Sequence, residues 1–131
     1  MSLVPTAGAR QRRPPTISIT SVSVKRTAVR DGLAGIASVR ARICLSNGPA
    51  AAILITETRR IGSVVKARAT NLDPLGVDLT HTFPFTCVSN YSISWAVQAR
   101  FIVGGGTYSV SIRIRDAFRR TSAPGSFSVS L

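Results

Sequence analysis

The sequence predicts an all-β protein: a two-layer antiparallel sandwich of about seven or eight short strands, preceded by an arm. Three observations carry this. Apolar residues recur with a period of two over short runs, as half-buried strands require. Clusters of Gly, Pro, Asn and Asp separate the runs at short intervals. No stretch makes a convincing helix.

Residues 1–15 contain no periodic segment and read as a disordered Pro-rich arm, so the domain spans 16–131. Within the arm, Ala7-Gly8-Ala9 has the small-x-small form that ends a secretory signal peptide, but a basic region and a full apolar stretch are missing before it. Arg10, Arg12 and Arg13 make the arm basic. Residues 16–24 alternate through Ile17, Ile19, Val22 and Val24. The parity slip between Ile19 and Val22 predicts a bulge or a strand that changes sheets. Lys25 to Gly35 reads as a loop turning at Asp31-Gly32.

Residues 36–45 form the next strand. Val39, Ala41, Ile43 and Leu45 point one way; Arg40, Arg42 and Cys44 point the other. Asn47-Gly48-Pro49 ends it with strong turn chemistry. Residues 51–60 follow as a strand. Gly62 breaks the chain before Val64–Thr70, where Lys66 and Arg68 face away from Val65, Ala67 and Ala69. Residues 71–76 read as a loop or short helical turn. Thr80–Thr86 alternates, but Pro84 restricts it to an edge or a crossover. Ser89-Asn90 is a turn.

Residues 92–116 look like the organising unit. Ile93, Trp95, Val97, Ala99 and Phe101 share one parity, and Tyr108, Val110, Ile112 and Ile114 share another. Read as a hairpin turning at Gly104-Gly105, the pattern pairs Phe101 with Tyr108 and Val97 with Ile112. Residues 117–125 then form a loop, and Phe127, Val129 and Leu131 mark the last strand.

Composition bounds the function. At 131 residues the chain is one domain with room for a core. Hydrophobic residues at 44% against 17% charged exclude disorder of the whole chain. No apolar run is long enough for a membrane-spanning helix. Seventeen Lys+Arg against five Asp+Glu give a net charge of +12, a field that draws polyanions such as nucleic acid, anionic lipid headgroups or acidic polysaccharide. Fifteen of the seventeen are Arg, a bias that GC-rich codon usage also produces.

The candidate sites are few. Arg40, Arg42, Lys66, Arg68, Arg100, Arg113 and Arg115 all oppose an apolar parity. If their strands are neighbours, they make a basic sheet face that would take phosphate or sulfate. The alternative is that these arginines only keep solvated strands soluble. Nucleic-acid reading also wants exposed aromatics, and Trp95, Phe101 and Tyr108 all have core parity. Cys44 and Cys87 allow one disulfide, or two buried thiols. One histidine, His81, does not complete a zinc site with them, and no metal or other cofactor is expected. No nucleophile elbow accompanies His81, so no catalytic residue is assigned. Asp116 is placed as a turn cap.

The chain closes with Tyr108-Ser-Val-Ser-Ile-Arg-Ile-Arg-Asp116, a loop Ala-Phe-Arg-Arg-Thr-Ser, and Ser126-Phe-Ser-Val-Ser-Leu131. This ending resembles that of bacterial immunoglobulin-like and fibronectin-type modules, which often finish on Tyr-x-Val-x-Val-x-Val-x-Asp, a short loop and a Ser-rich strand. It covers about 25 residues. The loop departs from the pattern, with Arg119-Arg120 where Gly-Asn is common. Trp95 also follows both cysteines instead of lying between them, and Cys44 shares parity with Arg40 and Arg42, so a bridge to Cys87 would clip strand ends near a rim. The resemblance implies an immunoglobulin-like antiparallel β-sandwich. It further implies a non-enzymatic, secreted or cell-surface bacterial module for adhesion, assembly or binding. The alternative from charge is a basic β-domain that binds nucleic acid or acidic glycan, as in a phage or virion structural protein.

Overall fold

A computed structural model describes residues 14–45, 52–74, 86–116 and 119–131. Among them are seven strands: β1 (Thr16–Arg30), β2 (Leu33–Leu45), β3 (Ala52–Ile61), β4 (Val64–Pro74), β5 (Thr86–Gln98), β6 (Thr107–Arg115) and β7 (Gly125–Ser130). A single helical turn, α1 (Ala99–Ile102), separates β5 from β6. The strands form two antiparallel sheets, ordered β1-β2-β5 and β4-β3-β6-β7. They pack face to face around one core, so the predicted all-β sandwich is the fold.

Alternation sorts β2, β3 and β6 as the sequence implied. Ala37, Val39, Ala41 and Ile43 of β2 meet Ile53 and Ile55 of β3 and Val110, Ile112 and Ile114 of β6 inside. The parity slip in β1 is a bulge: Ile19 pairs with Ala41 and Ser21 with Arg40, leaving Thr20 extra. Thr20 Oγ1 donates to the Arg40 carbonyl at 3.1 Å.

Several expectations are corrected. The loop expected over 25–35 is mostly strand, because β1 runs to Arg30 and only Asp31 and Gly32 turn, both at positive φ (54° and 78°). Residues 71–74 continue β4, held by pairing with Ala52–Ile55 of β3. Ser89-Asn90 is a bulge within β5 that faces Arg42, with Asn90 at φ 56°. Lys66 is an extra residue in β4, so the alternation stops there and Val65 pairs with Arg60.

The largest correction concerns residues 92–116. They are not a hairpin. Val97 pairs with Gly35 of β2, whereas Ile112 pairs with Ile55 of β3, and Tyr108 pairs with Arg59. β5 and β6 therefore lie in opposite sheets. Phe101 and Ile102 are both buried although adjacent, which a strand cannot arrange and a helical turn can. Gly104, Gly105 and Gly106, all at positive φ, then carry the chain to the second layer. Phe101 and Tyr108 still meet, as tilted rings with centroids 6.4 Å apart.

Of the arm expected over 1–15, residues 1–13 lie outside the described residues, as do the Asn47-Gly48-Pro49 turn, the Pro84 segment over 80–85 and His81; Pro15 is fully buried and belongs to the domain.

Candidate functional site at one pole of the sandwich

Three chain reversals meet at one end of the sandwich: the β1–β2 turn, the β3–β4 turn at Gly62-Ser63, and α1 with its glycines. Hydrogen bonds to main-chain carbonyls brace them. Ala99 N–H donates to the Gly32 carbonyl at 2.8 Å, and Arg59 Nε–H donates to the Gly105 carbonyl at 2.8 Å. α1 packs against β2, β3, β4 and β5. Gly106 passes so close to β3 that a Cβ there would overlap the Arg60 carbonyl oxygen.

This pole is unusual in two ways. First, it is tipped with exposed aliphatics. Val29 is 61% exposed, Val64 54% and Val103 52%, and Leu33, Ile61 and Val65 are exposed beside them. Ile36 adds to the patch on the outer face of β2. Elsewhere among the described residues the exposed large aliphatics are Val22 and Leu72. Second, it is cationic. Lys25, Arg26 and Arg30 come from β1, Arg60 and Lys66 from the second hairpin, and Arg100 from α1; all are exposed. Asp31 is the carboxylate among them, and no ion pair forms with these six among the described residues. Of the remaining acidic groups, Glu57 is in the core, Asp73 and Asp116 lie toward the opposite end, and Asp78 lies outside the described residues. Arg100 stays near its tip by donating from Nε–H to Gln98 Oε1 at 2.7 Å, its guanidinium 4.8 Å over the Phe101 ring.

The seven cations singled out from sequence do not share one face. Arg40 and Arg42 lie on β2, flanked by Ser21 and Ser92 and by Ser18. Arg68, Arg113 and Arg115 belong to the other sheet, with β3 between β4 and β6. Arg68 pairs with Thr58 and Arg113 with Leu54, four residues apart along β3. Only Lys66 and Arg100 reach the pole. Hydroxyls fill much of the outer faces, pairing across strands as Ser38–Ser94, Thr56–Thr70 and Ser109–Ser128 at 2.9–3.0 Å.

Sequence reasoning missed Glu57. It follows Ile53 and Ile55 on the inner face of β3 and is 3% exposed. Its Oε1 accepts from Trp95 Nε1–H at 2.6 Å and from Tyr108 O–H at 2.7 Å. Burial, then the Glu57 carboxylate, push the Tyr108 phenol far above its ordinary pKa. These groups are spent on one another, and the arrangement ties the two sheets together. Parity was the available signal: Trp95 and Tyr108 at core positions each bring a donor that needs an acceptor. Beside them a cleft of ≈ 400 Å³ opens between β5 and β3, from Trp95 and Tyr91 to Ile53 and Asp73.

Cys44 and Cys87 are bonded, joining neighbouring strands β2 and β5 at the end opposite the basic pole. Asp116 caps its turn: Oδ1 accepts from Arg120 N–H at 2.8 Å, and Oδ2 accepts from Arg120 Nε–H at 3.2 Å.

No protein-family model matches the chain, and no curated protein does. Among solved structures it is similar to beta-glucosidase 3B from Thermotoga neapolitana in complex with alpha-D-glucose, at 19% identity and a TM-score of 0.36. The match covers 89% of this chain and 16% of that one. The same enzyme in complex with glycerol matches at 19% identity and a TM-score of 0.36, over 88% and 16% of the two chains. The chain thus spans a small part of the length of the proteins it matches.

Proposed function

We propose that the chain is a non-enzymatic, immunoglobulin-like module of an oxidising compartment, secreted or at a bacterial cell surface, which works by binding a polyanionic surface. One observation carries the reading. Among the described residues, six exposed cations from three separate turns converge on one pole with a single carboxylate among them. Like charges brought together at a rigid pole repel, so the arrangement opposes stability and favours an anionic partner. The Cys44–Cys87 bond supports the compartment. The strand order, three against four with β4 beside β3, supports the immunoglobulin-like and fibronectin-type resemblance of the ending.

The test is retention of the oxidised chain on immobilised heparin, eluted with salt. Elution well above physiological ionic strength is expected, because each neutralised contact adds to the salt slope. The pair R60Q/K66Q should elute at lower salt than the outer-face pair R40Q/R42Q. Elution of the wild type at or below physiological ionic strength counts against the reading.

A further inference from the structure

We infer that the surface bound is an anionic lipid bilayer, into which the aliphatic tips of the pole insert while the surrounding cations meet the headgroups. The inference rests on the polyanion reading and goes beyond it on one point. Charge alone asks for no exposed valines, yet Val64 and Val103 project at 54% and 52% exposure from two different turns, and Val29 projects at 61% from the third. Exposed aliphatics concentrated in one place mark a surface that another apolar phase covers.

The occupant follows from complementarity. A second copy presenting the same pole is opposed, because six cations would face six. A nucleic acid answers the charge and leaves the aliphatics in water, and among the described residues the pole offers no exposed aromatic for bases to stack on. A peptide could lie in the shallow apolar groove lined by Ala28, Leu33, Ile36 and Ala96, but it would leave Val64 and Val103, on the other two turns, uncovered. A bilayer containing anionic lipid meets every feature at once. Its headgroup layer takes Arg60, Lys66 and Arg100, and the acyl boundary takes the short aliphatics, without demanding a fixed shape. The bracing of the turns keeps the tips apart and extended. Ala99 is tied to Gly32 and Arg59 to Gly105, so little order is lost on docking.

The experiment is co-sedimentation of the full oxidised chain with two kinds of vesicle. One is phosphatidylcholine alone; the other is phosphatidylcholine mixed with phosphatidylglycerol. Binding to the mixed vesicles and none to the neutral ones is expected. V64S/V103S should lower partitioning about tenfold by removing two aliphatic side chains. R60Q/K66Q should lower it about fivefold per charge removed. R40Q/R42Q should bind as wild type. Near-ultraviolet circular dichroism of Trp95 verifies that each variant is folded. Heparin retention without vesicle binding leaves the polyanion reading standing and overturns this one. So does V64S/V103S binding the mixed vesicles as tightly as wild type. Loss of both heparin and vesicle binding sinks both readings.

Discussion

Trp95 and Glu57 belong to different sheets, yet the indole N–H donates to the carboxylate at 2.6 Å, and Tyr108 O–H donates to the same oxygen. The core of the sandwich therefore contains one polar knot among aliphatics. Its energetics can be read by substitution. Glu57→Gln keeps an acceptor oxygen and weakens two charge-assisted bonds, costing about 1–2 kcal/mol. Glu57→Leu leaves both donors unsatisfied and should cost about 3–5 kcal/mol. Urea unfolding followed by Trp95 fluorescence gives both values; equal stability of the two variants would refute the knot's role.

Tyr108 predicts an alkaline limit. Its folded pKa is raised above the ordinary value of 10.0, so the folded state holds the phenol proton more tightly than the unfolded chain does. Stability is fully present below the unfolded pKa and is lost as pH rises beyond it. The unfolding free energy measured in urea should fall above about pH 10, by up to ~1.4 kcal/mol per pH unit. Tyr108→Phe should flatten that slope. In a spectrophotometric titration, Tyr108 should give tyrosinate absorbance only as the chain unfolds.

Reducing the Cys44–Cys87 bond, with a sequence separation of 43, should cost about 4 kcal/mol by loop entropy. The strands it joins are already hydrogen-bonded neighbours, so the fold should survive reduction with a lower urea midpoint. Collapse to an unfolded chain under reductant alone would show that the sandwich depends on the bond.

The glycine run separates two effects. Gly105 has φ 77° with open space around it, so Gly105→Ala meets backbone strain alone, about 1–2 kcal/mol. Gly106 has φ 94° and also abuts the Arg60 carbonyl, so Gly106→Ala should destabilise by several kcal/mol, roughly the strain plus an overpacking cost. Thermal unfolding of the two variants measures the difference.

The strands and their inward residues were legible because period two is a local property. Val39, Ala41 and Ile43, or Val110, Ile112 and Ile114, declare a buried face without reference to any partner. Partnership is not local. Parity limits the register of two strands once they are known to pair, and it cannot say that β5 pairs with β2 and β6 with β3. Phe101 kept step with Val97, which disguised the helical turn; buried Ile102 beside it was the sign that the strand had ended. The pole was hidden for the same reason. Arg60, Lys66 and Arg100 are scattered in sequence, and only the meeting of three turns brings them together.

The disulfide has a consequence for the molecule as an object. Cys44 and Cys87 close a covalent ring, and everything the chain sends to the far sheet as β3 and β4 lies within it. A protease that cuts any one peptide bond between those cysteines opens the ring without dividing the molecule. The nicked product would keep its mass, apart from one added water, and would part into two fragments only when a reductant is supplied. A cut on either side of the ring leaves two pieces with no covalent link, which separate on denaturation without any reductant.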